Sequence, residues 1–297
     1  MTPLDRLALA QRSLDGLSVG DAFGEQFFGQ PRAVLERIAG RVVPGGQWPY
    51  TDDTELALGI VEVLAERGAV DRDALATVFA RRYRANRHRG YGATAHTILE
   101  ALGDGVPWQV VSRQVFGGEG SQGNGAAMRA APVGASFFDD EARVIDEARK
   151  SAEITHAHPD GQAGAIAVAL AAAFVTRNAE APDGAAMLSW VCERVPRGPT
   201  RTGLESARAL PLDAPLFRAM ALGTGQSVIS SDTVPFSLYC AARCLTDFEA
   251  AMWTTVEGLG DRDTTCAIVG GIVAMNPRAV IPPAWLEARE PLARASR

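Results

Sequence analysis

The sequence predicts an all-α protein, and three observations indicate this fold class. Apolar residues recur at i, i+3, i+4 and i+7 along most of the chain, which is the spacing of amphipathic helices. Glycine, proline or aspartate separates these segments, whereas the alternation typical of strands is scarce. The 297 residues, 47% hydrophobic and 22% charged, have the composition of a globular chain that can bury a large core. We expect a single domain over residues 1–297; a hinge near 196–215, where proline and glycine interrupt the pattern, is the less favoured alternative.

About a dozen helices are predicted from their start and stop signals. Proline lies in a first turn at Pro31 and Pro107, and threonine or aspartate precedes an apolar segment at Thr51 and Asp71. Glycine or a cluster of basic residues ends several of these segments. The predicted helices cover 31–39, the segments that follow residues 51, 71 and 94, and then 107–116, 140–154, 159–176, 183–195, 234–245, 247–257, 264–275 and 283–290.

Composition also limits where this protein acts. The longest apolar stretch, 163–175, is alanine-rich and shorter than the roughly 20 residues that cross a bilayer, so it predicts a buried helix. Because 35 acidic residues outweigh 29 basic ones, the net charge of -6 has the wrong sign for sequence-independent binding of nucleic acid. No signal peptide is recognisable, and four cysteines without a CxxC pair indicate buried, reduced thiols: Cys192, Cys240, Cys244 and Cys266. We expect a cytoplasmic monomer that binds neither membranes nor bulk nucleic acid.

Two acidic segments, 48–55 and 258–265, each place a threonine and two carboxylates at the start of a predicted helix. One interpretation is helix capping, because threonine or aspartate caps and acidic first turns complement the helix dipole. The other is a shared metal site, since six hard oxygen donors suit Mg²⁺ or Mn²⁺. The donors would be Thr51, Asp52, Asp53, Asp261, Asp263 and Thr264.

Three further segments carry residues suited to binding. Residues 117–129 hold five glycines in nine residues before a predicted helix, so this loop is either a flexible turn or a cradle for phosphate, although it matches neither GxGxxG nor a Walker A motif. The His156-Ala157-His158 triplet indicates a polar loop lining a site rather than zinc, because no third nitrogen or sulfur ligand follows at a recognisable spacing. In 16–25, glycines recur every four residues, which allows close approach of a helix or ligand. Asp21 and Glu25 are i, i+4 neighbours there, on either a site or a solvated face.

Taken in order, five segments resemble the ADP-ribosylglycohydrolase family: GLSVGDAFGE, TDDTELAL, GNGAAMRAAPVG, THAHPDGQAGA and GLGDRDTTCAIVGGI. The resemblance implies a compact orthogonal bundle of helices with a binuclear Mg²⁺ or Mn²⁺ centre. It implies an activity that hydrolyses the bond between ADP-ribose and a modified protein or a small ADP-ribosylated molecule. The six oxygen donors above then become metal ligands, with Glu25, Asp52 and Asp263 as catalytic groups. The implied substrate-binding residues are Asp21, Ser121, Gly123, Asn124, Gly125, Met128 and His156.

Two positions depart from the family pattern. Arg262 replaces the threonine common in the middle of the last motif, and Phe28 stands where some members carry a glutamate. We expect the acceptor specificity to depend on segments outside the motifs, such as 26–47 and 86–92. A non-catalytic ADP-ribose-binding or immunity protein and a two-metal phosphohydrolase are the alternative functions that this sequence leaves open.

Overall fold

The computed structural model describes residues 2–293. Sixteen α-helices and three short 3₁₀ turns account for the regular structure of these residues, and no strand is present among them, so the predicted all-α fold is confirmed. The helices are α1 Pro3–Glu25, α2 Pro31–Ala39, α3 Asp52–Arg67, α4 Arg72–Ala85, α5 Ala93–Gly103, α6 Trp108–Gln114, α7 Ala131–Ser136, α8 Glu141–Glu153, α9 Pro159–Arg177, α10 Gly184–Arg194, α11 Pro199–Ala209, α12 Leu216–Ala219, α13 Ser230–Arg243, α14 Phe248–Val256, α15 Arg262–Val273 and α16 Pro283–Ala288. The 3₁₀ turns are Phe116–Gly118, Asn124–Ala126 and Met220–Leu222.

The predicted helices agree with the structure to within a few residues, and the differences have local causes. Residues 196–203, expected to interrupt the chain, contain the start of α11, because Pro199 occupies the first helical position, where its fixed φ is favourable. Helix α13 begins at Ser230 and continues through Pro235, whereas the prediction began at residue 234. Helix α7 is the helix expected after the glycine-rich segment, whereas α1, α11 and α12 lie outside the predicted ranges. Helix α12 has only four residues, too few to show a periodic pattern.

Helix α1 packs against α15 at very short range. A Cβ atom placed on Gly16, Gly20 or Gly24 would lie only 2.1 to 2.3 Å from a backbone oxygen of α15. The glycine stripe therefore contacts a helix rather than a ligand. This packing sets the start of α15 beside the end of α1.

Helix α9 forms part of the central core. It is long and apolar enough to cross a membrane, but 78% of its most apolar stretch is buried by the rest of the described chain, as predicted for a core helix. All four cysteines are free thiols; three are buried, and Cys244, against expectation, is partly exposed.

An aromatic cluster lies beneath the end of α1. Phe23 stacks on Trp285 with ring centroids 4.6 Å apart, and Trp48 meets both rings edge-on. The backbone of Trp48 also bonds to the segment after α16, donating to Ala288 O (2.7 Å) and accepting from Glu290 N (2.8 Å). These contacts fix the chain just before the first acidic segment.

Candidate functional site

The two acidic segments, far apart in the sequence, lie on the wall of one cavity. This cavity has a volume of about 510 Å³ and opens between the N-terminal ends of α3 and α15 and the glycine-rich segment. Among the residues singled out in the sequence, those that line it are Asp52, Asp53, Ser121, Gly123, Asn124, Gly125, Met128, His156, Asp261, Asp263 and Thr264. Thr51, Asp21 and Glu25 are not among the lining residues.

Thr51 caps α3 and is hydrogen-bonded to the buried carboxylate of Asp21. The Thr51 hydroxyl accepts a hydrogen bond from Asp53 N (3.3 Å) and donates one to Asp21 Oδ1 (2.9 Å). The capping interpretation is therefore correct for Thr51, and one lone pair of its hydroxyl remains for another partner.

Asp21 is buried outside the cavity lining and holds the first turn of α3, so the structure gives it a positioning role, and its predicted contact with substrate stays a prediction. Its side chain has 0% exposure and accepts bonds from the backbone N–H and the hydroxyl of both Thr51 and Thr54. Burial raises the pKa of Asp21 to about 6, although these hydrogen bonds act in the opposite direction. The carboxylate thus ties α1 to the first turn of α3, and no part of it is open to the cavity.

Hydrogen bonds to Thr224 and Asn124 hold the second acidic segment in place. Asp261 donates its backbone N–H to Thr224 O (2.9 Å), and its carboxylate accepts a hydrogen bond from Asn124 Nδ2 (2.7 Å). A Cβ on Gly260 would lie 1.9 Å from Thr224 O, so only glycine permits this approach. Although Asp261 occupies the N-cap position of α15, its side chain makes no capping hydrogen bond.

The four cavity carboxylates repel one another. Burial and the neighbouring negative charges raise the pKa of Asp52 and Asp53 well above the usual range. Burial raises the pKa of Asp261 to about 7, with the charge of Asp263 adding to it, and that of Asp263 to about 6. None of the four takes part in a salt bridge with the residues that the structure describes.

This arrangement fits divalent cations. Asp53 Oδ2 and Asp263 Oδ1 are buried without any hydrogen-bond partner, so each presents an unsatisfied oxygen. Within residues 2–293, no three side chains of His, Cys, Asp or Glu are arranged to hold an ion by themselves. Threonine hydroxyls and water would complete the coordination, which suits Mg²⁺ because this ion usually retains several waters.

The glycine-rich segment forms the opposite wall. Ser121 Oγ accepts from Gly123 N (3.1 Å), and the Asn124 backbone N–H donates to Val228 O (3.0 Å). Through its side chain, Asn124 also joins this wall to Asp261. The loop is therefore connected directly to the second acidic segment and is not a free turn.

The two histidines of the 155–159 segment have different tasks. His158 caps α9 by accepting from Asp160 N (3.0 Å) through Nδ1. His156 is buried at the cavity wall, and burial together with the charge of Arg129 lowers its pKa to about 3. A neutral His156 and a helix-capping His158 are consistent with a polar lining and not with a zinc pair.

Two exposed apolar residues at the cavity were missed in the sequence. Phe116 (62% exposed, φ 53°) and Val228 (57% exposed, φ 50°) both line it with a left-handed backbone. This conformation is strained in a β-branched residue such as Val228. The position of Phe116 directly before the Gly117-Gly118 pair was a sequence signal that could have identified it. No comparable signal marks Val228.

Glu25, Phe28 and Arg262 form a small group outside the cavity lining. The Arg262 guanidinium lies over the Phe28 ring at 4.3 Å, so the two departures from the family pattern contact each other. Burial raises the pKa of Glu25, while the positive charge of Arg262 lowers it. Glu25 lies beside the cavity and is not among its lining residues, so its catalytic role stays a prediction.

The helices, the buried carboxylates and the glycine-rich wall define an all-α protein with an acidic ligand cavity. The chain belongs to the ADP-ribosylglycohydrolase family, whose sequence model matches residues 2–296.

Relatives and a solved structure agree with this family. The chain is similar to ADP-ribosylhydrolase ARH3 of Xenopus tropicalis, with 34% identity over 58% of this chain and 51% of that protein. With ARH3 of Homo sapiens the identity is 28% over 81% of this chain and 74% of that protein. A solved structure of an ADP-ribosylglycohydrolase-related protein complex matches with a TM-score of 0.64 and 25% identity, over 97% of this chain and 94% of that chain. The Xenopus match spans about half of that relative's length. Family and relatives together support an ADP-ribosyl hydrolase activity.

Proposed function

We propose that this protein is a metal-dependent hydrolase with a binuclear Mg²⁺ centre. It cleaves the glycosidic bond between ADP-ribose and a modified protein side chain or another ADP-ribosylated acceptor. The observation that supports this most directly is the meeting of two aspartate pairs in one cavity, with unsatisfied oxygens on Asp53 and Asp263. Mn²⁺ is the second ion that such oxygen donors suit.

The metal-binding residues in this proposal come from both acidic segments. Asp52, Asp53, Asp261 and Asp263 supply carboxylate oxygens, and Thr264 supplies a hydroxyl at the cavity wall. Thr51 contributes the remaining lone pair of its hydroxyl. When bound, such ions supply positive charge for the ribose hydroxyls and lower the pKa of a bound water.

The rest of ADP-ribose extends along the opposite wall. The glycine-rich loop lies beside the acidic segments and allows close approach of the diphosphate to the backbone. His156 offers a ring nitrogen there, and the exposed Phe116 offers a flat apolar face for the base. The distal ribose then lies next to the carboxylates.

The chemistry needs a positioned water and a proton acceptor. Hydrolysis breaks the bond from C1 of the distal ribose to the acceptor atom, forms a bond from the water oxygen to C1, and sends a proton to the leaving acceptor. The Asp52 or Asp263 carboxylate orients the water, takes its proton and returns a proton to the leaving acceptor atom, so that the carboxylate is regenerated. Glu25, next to Arg262 at the edge of the site, is the proposed outer carrier of protons to solvent.

A panel of ADP-ribosylated substrates tests this proposal. Release of ADP-ribose is measured from arginine-linked, serine-linked and small-molecule substrates in Mg²⁺ and in EDTA. We expect turnover only with a divalent ion, and a loss of at least about a hundredfold in Asp52→Ala and Asp263→Ala.

The matched control is Asp71→Ala, which removes an aspartate that only caps a helix, at Ala74 N (3.0 Å). It should lower stability by about 1 kcal/mol and leave turnover unchanged. Release that survives complete chelation would contradict the metal role. Tight binding of ADP-ribose without cleavage of any linkage would indicate a non-catalytic binder, and release of AMP or phosphate would indicate a phosphohydrolase.

A further inference from the structure

Three side chains, of Arg129, Thr155 and His156, form a hydrogen-bonded series at the cavity wall beside the glycine-rich segment. Arg129 is almost fully buried and donates three hydrogen bonds from its two terminal nitrogens. Nη1 donates to Gly125 O (2.9 Å), and Nη2 donates to Ser151 O (3.1 Å) and to Thr155 Oγ1 (2.8 Å). One guanidinium therefore fixes both the glycine-rich loop and the segment that carries His156.

The direction of the next hydrogen bond follows from counting protons. Thr155 Oγ1 accepts from Arg129, which can only donate, so the single hydroxyl hydrogen of Thr155 is free to donate elsewhere. His156 Nδ1 lies 2.7 Å from Oγ1. The described residues offer that buried hydrogen no other acceptor, and leaving it unpaired would cost free energy. Nδ1 of His156 is therefore the acceptor.

A neutral imidazole that accepts at Nδ1 carries its hydrogen on Nε2. Burial and the positive charge of Arg129 lower the pKa of His156 to about 3, so the ring stays neutral across the ordinary pH range. The Nε2 edge faces the glycine-rich loop, since a Cβ on Gly123 or Gly125 would lie 3.3 Å from it. His156 and both glycines line the cavity.

We propose that Arg129 and Thr155 are positioning residues that hold His156 in its Nε2–H tautomer, so that the ring donates a hydrogen bond to an anionic oxygen in the cavity. The identity of that oxygen, one of the ADP-ribose diphosphate, rests on the proposed function. Among residues 2–293, no carboxylate is hydrogen-bonded to the ring, so the donor direction depends on the Thr155 hydroxyl. The Arg129 guanidinium also orders the glycine-rich loop, so the loop and the His156 ring are both in place before ligand binds.

The tautomer is measured in the ligand-free protein by nitrogen-15 NMR of the His156 ring. The wild type and Thr155→Ser should show Nε2 protonated and Nδ1 bare, because serine keeps the hydroxyl. Thr155→Val removes the hydroxyl at nearly constant volume, and the second tautomer should become populated. A wild-type ring protonated at Nδ1, or a spectrum unchanged by valine, would overturn the proposal.

Binding is measured by calorimetry with free ADP-ribose. Thr155→Val should weaken binding about threefold to tenfold, the worth of one net hydrogen bond, with serine restoring it. In turnover assays the loss should appear in KM and not in kcat. The control is Thr176→Val, which makes the same change near the other end of α9, where the hydroxyl donates to Ala172 O (2.7 Å). Wild-type affinity in Thr155→Val would contradict the proposal, whereas a wild type that binds no ADP-ribose would contradict the proposed function and leave the NMR result to decide the tautomer.

Discussion

At the scale of single residues, the site depends on side chains that hold the two acidic segments in place. Asp21 accepts four contacts from the first turn of α3, and Asn124 bonds the carboxylate of Asp261. The resemblance to the family identified the motif that contains Asp21 but not its task. Only the tertiary structure shows that its partners are Thr51 and Thr54, because a contact across thirty residues leaves no local pattern.

Replacing Asp21 with asparagine tests this role. An amide offers one acceptor oxygen and two unwanted donors in place of a carboxylate, so the first acidic turn should lose its fixed position. We expect roughly tenfold weaker Mn²⁺ binding and a loss of about 1–3 kcal/mol in stability, measured by titration and by thermal unfolding. Asp183→Asn, at the exposed cap of α10, is the control for loss of a capping carboxylate. Unchanged metal affinity in Asp21→Asn would mean that the turn is held by other contacts.

Replacing Arg262 should strengthen metal binding, in contrast to the replacement of Asp21. Its guanidinium interacts with Asp261, Asp263 and Glu25, so its charge opposes that of an incoming cation. Arg262→Thr should tighten Mg²⁺ binding about twofold to fivefold, and less so at high salt. Arg32→Thr, which removes an exposed arginine paired with Glu36, should leave the affinity unchanged. Weaker Mg²⁺ binding in Arg262→Thr would show that the arginine supports the site.

At the scale of elements, α1 is the part that brings the two acidic segments together. Its glycine stripe packs on α15, and Asp21, next to Gly20 in the sequence, bonds α3. Periodicity predicted where most helices begin and end because capping and amphipathic spacing are local. It could not predict which helices meet, since the glycine stripe left open whether a helix or a ligand approached it.

Gly20→Ala tests the packing of α1 on α15. The added Cβ would lie 2.1 Å from Cys266 O, so the helices must separate. We expect a loss of about 1–3 kcal/mol in unfolding free energy, together with weaker metal binding as Asp261 and Asp263 move. Gly45→Ala, at a glycine with open space around its Cβ position, is the control in denaturant unfolding. Equal stability of the two variants would contradict the close packing.

At the scale of the whole molecule, folding assembles a cluster of like charges. Carboxylates with raised pKa bind more protons in the folded than in the unfolded state, so metal-free stability falls as pH rises from about 4 through the folded pKa values. For Asp263 and Asp261 these values are about 6 and about 7. Thermal unfolding in EDTA should therefore give a Tm that decreases between pH 5 and pH 8.

Added Mg²⁺ should remove most of that decrease, because metal ions bind the deprotonated carboxylates. The stabilisation by Mg²⁺ should grow over the same pH range. The double variant Asp52→Asn, Asp263→Asn should lose the response to Mg²⁺ and show a weaker pH dependence, since the buried Asp53 and Asp261 still titrate. An equal Mg²⁺ response at pH 5 and pH 8 would show that these carboxylates are not the ligands.

The fold class and the main site motifs were predictable from the sequence, because helical periodicity and motifs are local patterns. Features that depend on how the loops fold around the cavity were not. The all-α fold follows from helical periodicity, and the motif order supplied the cavity carboxylates, the glycine-rich wall and His156, but not the wall formed by the start of α5. Phe116 and Val228 were not predicted, because their importance arises from backbone conformation and from the position of the loops around the cavity. A single domain over residues 1–297, a monomeric state and a cytoplasmic location remain predictions.

The central claim is that the segments around Asp52 and Asp263 together bind a pair of divalent cations. Anomalous diffraction from crystals grown with Mn²⁺ tests it most directly. We predict two manganese peaks in the cavity, coordinated by Asp52 and Asp53 on one side and by Asp261, Asp263 and Thr264 on the other. Manganese bound elsewhere, or no peak between these residues at saturating Mn²⁺, would contradict the claim.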